Sequence, residues 1–198
     1  IEASAKKLIG NNIRFGGITV TGTENLIMAA TLASGTTILT NVAKEPEIID
    51  LADMLNSMGA KVSGAGTDQI IIEGVESLKG TEYSIPADRI EAGTYLAAAA
   101  VTNGNIKIDG INPKRLMKVI CKLEDAGASI IYDENSISIS MKSDRPKPLD
   151  ITTAPFPEFP TDMQAQCSVI NAISHGKSHI YATVFENNFM HILDLNRL

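Results

Sequence analysis

A layered α/β fold of the α+β kind, made of tandem β-α-β-α-β-β units of about seventy residues, is what this sequence predicts. Three observations predict it. Gly35 and Gly104, each closing an Ala-rich helical stretch, lie 69 residues apart. Gly59-Ala60 and Gly127-Ala128, each closing a second helical stretch, lie 68 residues apart. After each Gly-Ala pair comes a two-strand alternation. The competing description, one irregular α/β domain, leaves these coincidences unexplained.

The first unit opens with a leading strand expected at Ile18 to Val20 and a helix from Asn25 to Ser34. Gly35, free to adopt positive φ, ends that helix, and Thr36 to Thr40 reads as a strand. Pro46 suits a first helical turn, and Ile48, Leu51, Leu55 and Met58 recur at helical spacing up to Gly59. Lys61 to Ser63 and Gln69 to Glu73 complete the unit as a hairpin.

The same order returns, with a leading strand expected at Glu82 to Ile85 and an Ala-rich helix from Arg89. A strand at Asn105 to Asp109 follows. Asn112-Pro113 opens a second helix whose apolar face is Leu116, Val119, Leu123 and Ala126, and Ile130 to Tyr132 with Ser136 to Ser140 supply the hairpin. A third copy begins with Leu149 to Thr152, a helix from Thr161 to Gly176, a strand at Ser178 to Ala182 and a helix carrying Ile192, Leu195 and Leu198. By the spacing of the first two copies its next glycine falls near position 199 or 200, so a piece of a larger protein is expected. With one sheet and two helices per unit, neighbouring copies can share a helical layer, sheets outside and helices inside.

Composition narrows the function. A formal charge of −6 excludes a general nucleic-acid binder, whose phosphate-tracking surface needs surplus Lys and Arg. No apolar run approaches the ~20 residues needed to span a bilayer, and Ile1 to Lys7 lack a signal-peptide pattern, so a cytoplasmic location and no membrane partner are expected. Cys121 and Cys167 are too few and too far apart for a disulfide scaffold or metal cluster, and both sit in apolar helical patterns, which predicts core thiols. His175, His179 and His191 have no metal-like spacing.

Four segments can carry chemistry. Gly16 to Asn25 runs into a helix start; Thr19, Val20, Thr21 and Gly22 there form either a plain turn and cap or an anion cradle of amides and hydroxyls. The stiff Ala154-Pro155-Phe156-Pro157-Glu158-Phe159-Pro160 stretch delivers Thr161-Asp162 to another helix start. There Thr161 is an N-cap and Asp162 a first-turn anion, or Asp162 is a positioned proton acceptor. Asp88-Arg89-Ile90-Glu91 makes an intrahelical ion pair or contributes to an anion site. Val184 to His191 links a strand to a helix, where backbone groups can meet a ligand.

Phe159-Pro160-Thr161-Asp162-Met163-Gln164-Ala165-Gln166, Phe185-Glu186-Asn187 and Phe189-Met190-His191 resemble the UDP-N-acetylglucosamine 1-carboxyvinyltransferase (enolpyruvyl transferase) family. Glu45-Pro46-Glu47-Ile48, Gly59-Ala60-Lys61-Val62, Gly66-Thr67-Asp68 and Asp88-Arg89-Ile90-Glu91-Ala92-Gly93-Thr94 add to the match, which runs along essentially the whole chain. The resemblance implies an inside-out α/β barrel, incomplete here, in an enzyme of six units, three per domain, with its active site between the domains. Residues 1–86 would end the first domain and residues 87–198 begin the second, catalytic one.

It further implies transfer of the enolpyruvyl group of phosphoenolpyruvate to the 3-hydroxyl of UDP-N-acetylglucosamine with release of phosphate, the first committed step of peptidoglycan synthesis. No cofactor is called for. Asp162 would meet the sugar hydroxyl and take its proton, Val184 would touch the sugar through its backbone, and Thr19, Val20, Thr21 and Gly22 would lie against the nucleotide. The family's phosphoenolpyruvate lysine, reactive cysteine and several arginines correspond to positions outside this chain, so the 198 residues alone are expected to be inactive. Asn188 stands where the family usually has Arg, which removes a positive charge. The related enolpyruvylshikimate-phosphate synthases and a noncatalytic nucleotide-sugar-binding homologue are the alternatives.

Overall fold

The computed structural model describes residues 2, 4–184 and 188–197, which form two compact units, Ile1–Ile85 and Pro86–Leu198. Each has its own core.

In the first unit, β1 (Asn12–Arg14) runs parallel to β2 (Thr36–Thr40), with Asn12 opposite Ile38. β3 (Lys61–Ser63) and β4 (Gln69–Glu73) form the hairpin, and β4 also pairs antiparallel to β2, giving the order β1-β2-β4-β3. Thr37, Leu39, Ile70 and Ile72 alternate onto the buried face, as a half-covered sheet requires. Two helices, α1 (Val20–Ala30) and α2 (Pro46–Ser57), supply Ile27, Ile48, Ala52 and Leu55 to the same core.

α2 begins on Pro46 and ends where Gly59 takes φ +99° while the Ala60 amide reaches back to the Leu55 carbonyl at 3.0 Å. The second unit repeats this closure. Gly127 has φ +101°, and the Ala128 amide donates to the Leu123 carbonyl at 3.0 Å.

In the second unit, α3 (Arg89–Val101) leads to β5 (Asn105–Asp109), a 3-10 turn at Pro113–Arg115, α4 (Met117–Asp125), β6 (Ser129–Tyr132) and β7 (Ser136–Ser140). The sheet is antiparallel, in the order β5-β7-β6. β8 (Ile151–Thr152) then pairs parallel to β9 (Ile180–Tyr181), with α5 (Gln164–Ile173) between them and α6 (Met190–Leu195) after. The Asp150 carboxylate fastens that register by accepting from the His179 amide at 2.7 Å, a bond that holds its pKa below the usual carboxylate range. Leu96, Ile111, Ile120, Leu123, Ile137 and Met163 fill the core.

Several expectations need correction. Ile18 to Val20 is not a strand: Thr19, extended at φ −141° and ψ 124°, caps a helix that starts at Val20, five residues before the expected Asn25. The leading strand lies earlier, at Asn12–Arg14. That helix also stops at Ala30: Thr31 is its C-cap, its amide donating to the Ile27 carbonyl at 3.2 Å and its hydroxyl to the Met28 carbonyl at 2.7 Å.

Glu82 to Ile85 pairs with no strand, and Ile85 is 87% exposed. Cys121 is exposed, so only Cys167 is a core thiol; burial pushes that thiol up to about 12 and keeps it protonated. Leu198, expected on the last helix face, is outside the described residues. The sheets of four, three and two strands are all open, with no closed barrel among the described residues. No helix among them is long and apolar enough to cross a membrane.

Candidate functional site

Both predicted site segments occupy the same place in the repeat, the junction between the leading strand and the first helix. In the first unit this is the turn from β1 into α1. The Thr19 hydroxyl accepts from the Gly22 amide at 3.2 Å, and the Thr19 carbonyl accepts the Thr23 hydroxyl at 2.7 Å. Because the opening amides of a helix have no partner within it, those of Val20 and Thr21 are left for other acceptors. No acidic residue stands in the first turn. Thr21 is exposed, while Thr19, Val20 and Gly22 are half-buried.

The wall behind this turn is rigid. Thr23, fully buried, accepts the Ala43 amide at 3.2 Å through its hydroxyl, and Asn41 donates its side-chain amide to the Phe15 carbonyl at 2.8 Å. The junction thereby carries its own cap, tied to the loop that follows β2. This arrangement suits an anionic or polar ligand group.

Glu24, next along α1, feels burial first and then the charges of Glu47 and Glu45, which together raise its pKa above the usual carboxylate range. The folded protein therefore holds this proton more tightly than the unfolded chain does. Ionised Glu24 opposes folding increasingly as pH rises from about 4.5 through its folded pKa, and below that range the opposition is gone. Glu24→Gln is expected to raise the melting temperature at pH 7, with the gain disappearing by about pH 4. Melting curves of both proteins across that range test it; a gain that persists at acid pH contradicts the sign.

In the compact unit Pro86–Leu198 the equivalent junction, that of the third repeat, is the segment from β8 to α5. Thr153, fully buried, extends the strand: its amide donates to the Tyr181 carbonyl at 2.9 Å, its hydroxyl accepts the Thr183 amide at 3.2 Å, and its carbonyl accepts the Thr183 hydroxyl. Ala154 donates its amide to the Phe159 carbonyl at 3.0 Å, which closes the proline-rich loop on itself. The chain then enters a 3-10 turn at Thr161–Met163 and continues into α5. Thr161 does not cap this helix; the residue before the turn is Pro160, which has no side-chain bond to give.

Asp162 is exposed in that turn, and among the described residues its carboxylate has no hydrogen bond and no ion pair. Its neighbours are the opposite: Met163 and Gln164 are both 0% exposed. A Cβ on Gly93 of α3 would come within 2.9 Å of the Met163 sulfur, so the glycine gives Met163 its seat. Gln166 donates to the Thr94 hydroxyl at 2.9 Å, a second tie from α5 to α3. The carboxylate is thus free at its tip and fixed at its base.

Val184 is exposed just after the Thr153–Thr183 bonds. Since β8 and β9 are parallel, the loops that leave their C-terminal ends emerge on one edge, and these loops carry Asp162 and Val184. Parallel pairing makes the two loops leave the same edge of the sheet. Phe185-Glu186-Asn187 lies outside the described residues.

Asp88 resolves differently from the expected ion pair. Its carboxylate caps α3, accepting the Ile90 and Glu91 amides at 2.7 and 3.1 Å. Arg89 is buried, its guanidinium 5.9 Å from the centre of the Phe156 ring. His191 meets the Ser168 hydroxyl at 2.9 Å. Gln164 and Ser168 escaped the sequence reading, although two polar residues four apart on a face shared with Cys167 and Ile170 were the available signal. No cluster of three or more metal-ligating side chains occurs among the described residues.

The fold of these units is that of the enolpyruvyl transferases. The structure superposes on the enolpyruvyl transferase NikO from Streptomyces tendae with a TM-score of 0.84 at 19% identity, over 98% of this chain and 48% of that one. It superposes on the EPSP synthase from Acinetobacter baumannii with a TM-score of 0.62 at 21% identity, over 96% and 45%. Residues 1–198 match the profile of the EPSP synthase (3-phosphoshikimate 1-carboxyvinyltransferase) family, and the chain belongs to that family.

Among curated relatives, the UDP-N-acetylglucosamine 1-carboxyvinyltransferase of Coxiella burnetii is 55% identical over 97% of this chain and 44% of its own length. That of Ruthia magnifica is 54% identical over 100% and 47%. The chain spans about half the length of these relatives.

Proposed function

We propose that the whole protein transfers the enolpyruvyl group of phosphoenolpyruvate to the 3-hydroxyl of UDP-N-acetylglucosamine and releases phosphate. The observation that carries this reading is Asp162, an exposed carboxylate followed directly by two fully buried residues, Met163 and Gln164, in the Phe159 to Gln166 segment. The 55% identity to relatives bearing that activity in their name supports the nucleotide sugar over shikimate phosphate as acceptor.

Asp162 would accept the proton of the sugar hydroxyl as its oxygen attacks C2 of phosphoenolpyruvate. With C3 taking up a proton, that attack gives a tetrahedral intermediate, which loses a C3 proton and phosphate to form the enol ether. A carboxylate suits the step because its base strength is supplied at a fixed position. Val184 would face the sugar through its backbone. The Thr19 to Gly22 turn would accept the nucleotide portion through unpaired amides.

On this reading the protein acts in the cytoplasm in peptidoglycan synthesis, residues 1–86 belong to one domain of the enzyme and residues 87–198 to the next. No cofactor takes part in the proposed reaction.

Phosphate release with both substrates tests the assignment. The whole protein is expected to turn over with UDP-N-acetylglucosamine and not with shikimate 3-phosphate, and the 198-residue chain alone is expected to show no turnover. Binding of the nucleotide sugar by the whole protein without any phosphate release would replace the reading with that of a noncatalytic module.

A further inference from the structure

Gln164, two residues after Asp162, is joined to Asn188 by a reciprocal amide pair. Its Nε2 donates to the Asn188 backbone carbonyl at 2.9 Å, and Asn188 Nδ2 donates to Gln164 Oε1 at 3.0 Å. One helical turn along, the Ser168 hydroxyl donates to the Gln164 carbonyl at 2.9 Å and lies 2.9 Å from His191 Nε2. Gln164 is 0% and Ser168 4% exposed. The spacing makes the two contacts rungs of one clasp: 164 and 168 share a face of α5, while 188 and 191 share the segment that starts α6.

For packing alone, an apolar side chain would serve better at a site as dry as that of Gln164. A buried amide is tolerated only when its donors and acceptors are met, and leaving one unmet costs more than the bond contributes. What the paired amides add is direction. Two hydrogen bonds of opposite sense between one side chain and one residue admit a single mutual placement, which an aliphatic contact does not. The element so placed is the first turn of α5, continuous with the 3-10 turn that carries Asp162. The other end of the clasp lies four residues after Val184.

We propose that the Gln164–Asn188 amide pair is a positioning element that holds the Asp162 turn to the segment that opens α6. Asn188 then has a use of its own, a hydrogen-bond donor to Gln164 Oε1. This inference rests on the function proposed above, in which Asp162 receives the hydroxyl proton.

The test uses the whole protein and steady-state phosphate release. Asn188→Ala and Asn188→Asp both lack the donor, the second at nearly constant volume. Each is expected to lower kcat about tenfold while changing KM for the nucleotide sugar less than about threefold, because a misplaced base slows the chemical step more than it weakens binding. Asn188→Arg, which restores a donor, is expected to recover most of that loss.

In a protein already carrying Asp162→Asn, adding Asn188→Ala is expected to cost less than about twofold more, since residues acting through one group are not additive. Thermal melts of each variant accompany the rates. An active wild type whose Asn188→Ala and Asn188→Asp variants keep kcat, or whose double variant shows the full additive loss, overturns the positioning role alone. Equal losses in Asn188→Arg and Asn188→Ala overturn it as well. A wild type that releases no phosphate overturns the functional reading and this inference together.

Discussion

Asp162→Asn in the whole protein is expected to lower kcat by about 10² to 10⁴-fold, the range over which a positioned proton acceptor accelerates a reaction. Asparagine keeps the size and planarity of the side chain but loses its basicity and its charge. Stability is expected to stay within about 0.5 kcal/mol, because Asp162 is exposed and makes no hydrogen bond or ion pair among the described residues. Phosphate release at saturating substrates, set beside a melting curve, separates the two quantities. A kcat within threefold of wild type would remove Asp162 from the proton-accepting role. A large loss of stability would show that the turn depends on the carboxylate, contrary to its lack of bonds.

The largest stability effect is expected in the core of the same unit. Leu96 of α3 is 0% exposed in the core that contains Ile120, Leu123, Ile137 and Met163. Leu96→Ala removes buried methyl groups and leaves a cavity lined by neighbours already packed on all sides, which costs about 2 to 5 kcal/mol. Urea unfolding measures this as a shifted midpoint at unchanged slope. The two cores have no residue in common, so hydrogen exchange should report lost protection in Pro86–Leu198 and not in Ile1–Ile85. The control is Ile131→Ala on β6, 74% exposed, which is expected to change stability by less than about 0.5 kcal/mol. A Leu96→Ala cost below 1 kcal/mol would mean that the core collapses onto the gap.

Where one local signal decided the structure, the sequence was readable. β2, β4, β5 and β7 have the expected limits because their short aliphatic runs or alternations are bounded by glycine, polar turns or both. Pro46 marked the start of α2, and the Gly-Ala pairs marked the ends of α2 and α4. At Ile18-Thr19-Val20, β-branched composition argued for a strand, and one hydrogen bond from the Gly22 amide to the Thr19 hydroxyl decided for a helix start instead. β1 gave no periodic signal because two of its three residues, Asn12 and Arg14, are exposed.

The site divides along the same line. The proline-rich approach to Asp162 could be read from composition, since each proline restricts its own and the preceding backbone. The seat of Met163 against Gly93, the cap that Asp88 makes and the pairing of Gln164 with Asn188 could not. Those are facts of tertiary packing or side-chain choice, and residues 70 or 24 positions apart leave no periodic trace of having met.

The recurrence of one strand-to-helix junction, with a capped turn at Thr19 to Gly22 in the first unit and a carboxylate at Asp162 in the second, separates inheritance from specialisation. Each unit folds around strands and helices whose register does not depend on what the junction displays. Mutation can therefore exchange the displayed group while the supporting half of the unit is passed on unchanged. Divergence to 19% identity with a TM-score of 0.84 is the pattern such a scaffold permits, one architecture outlasting most of its sequence.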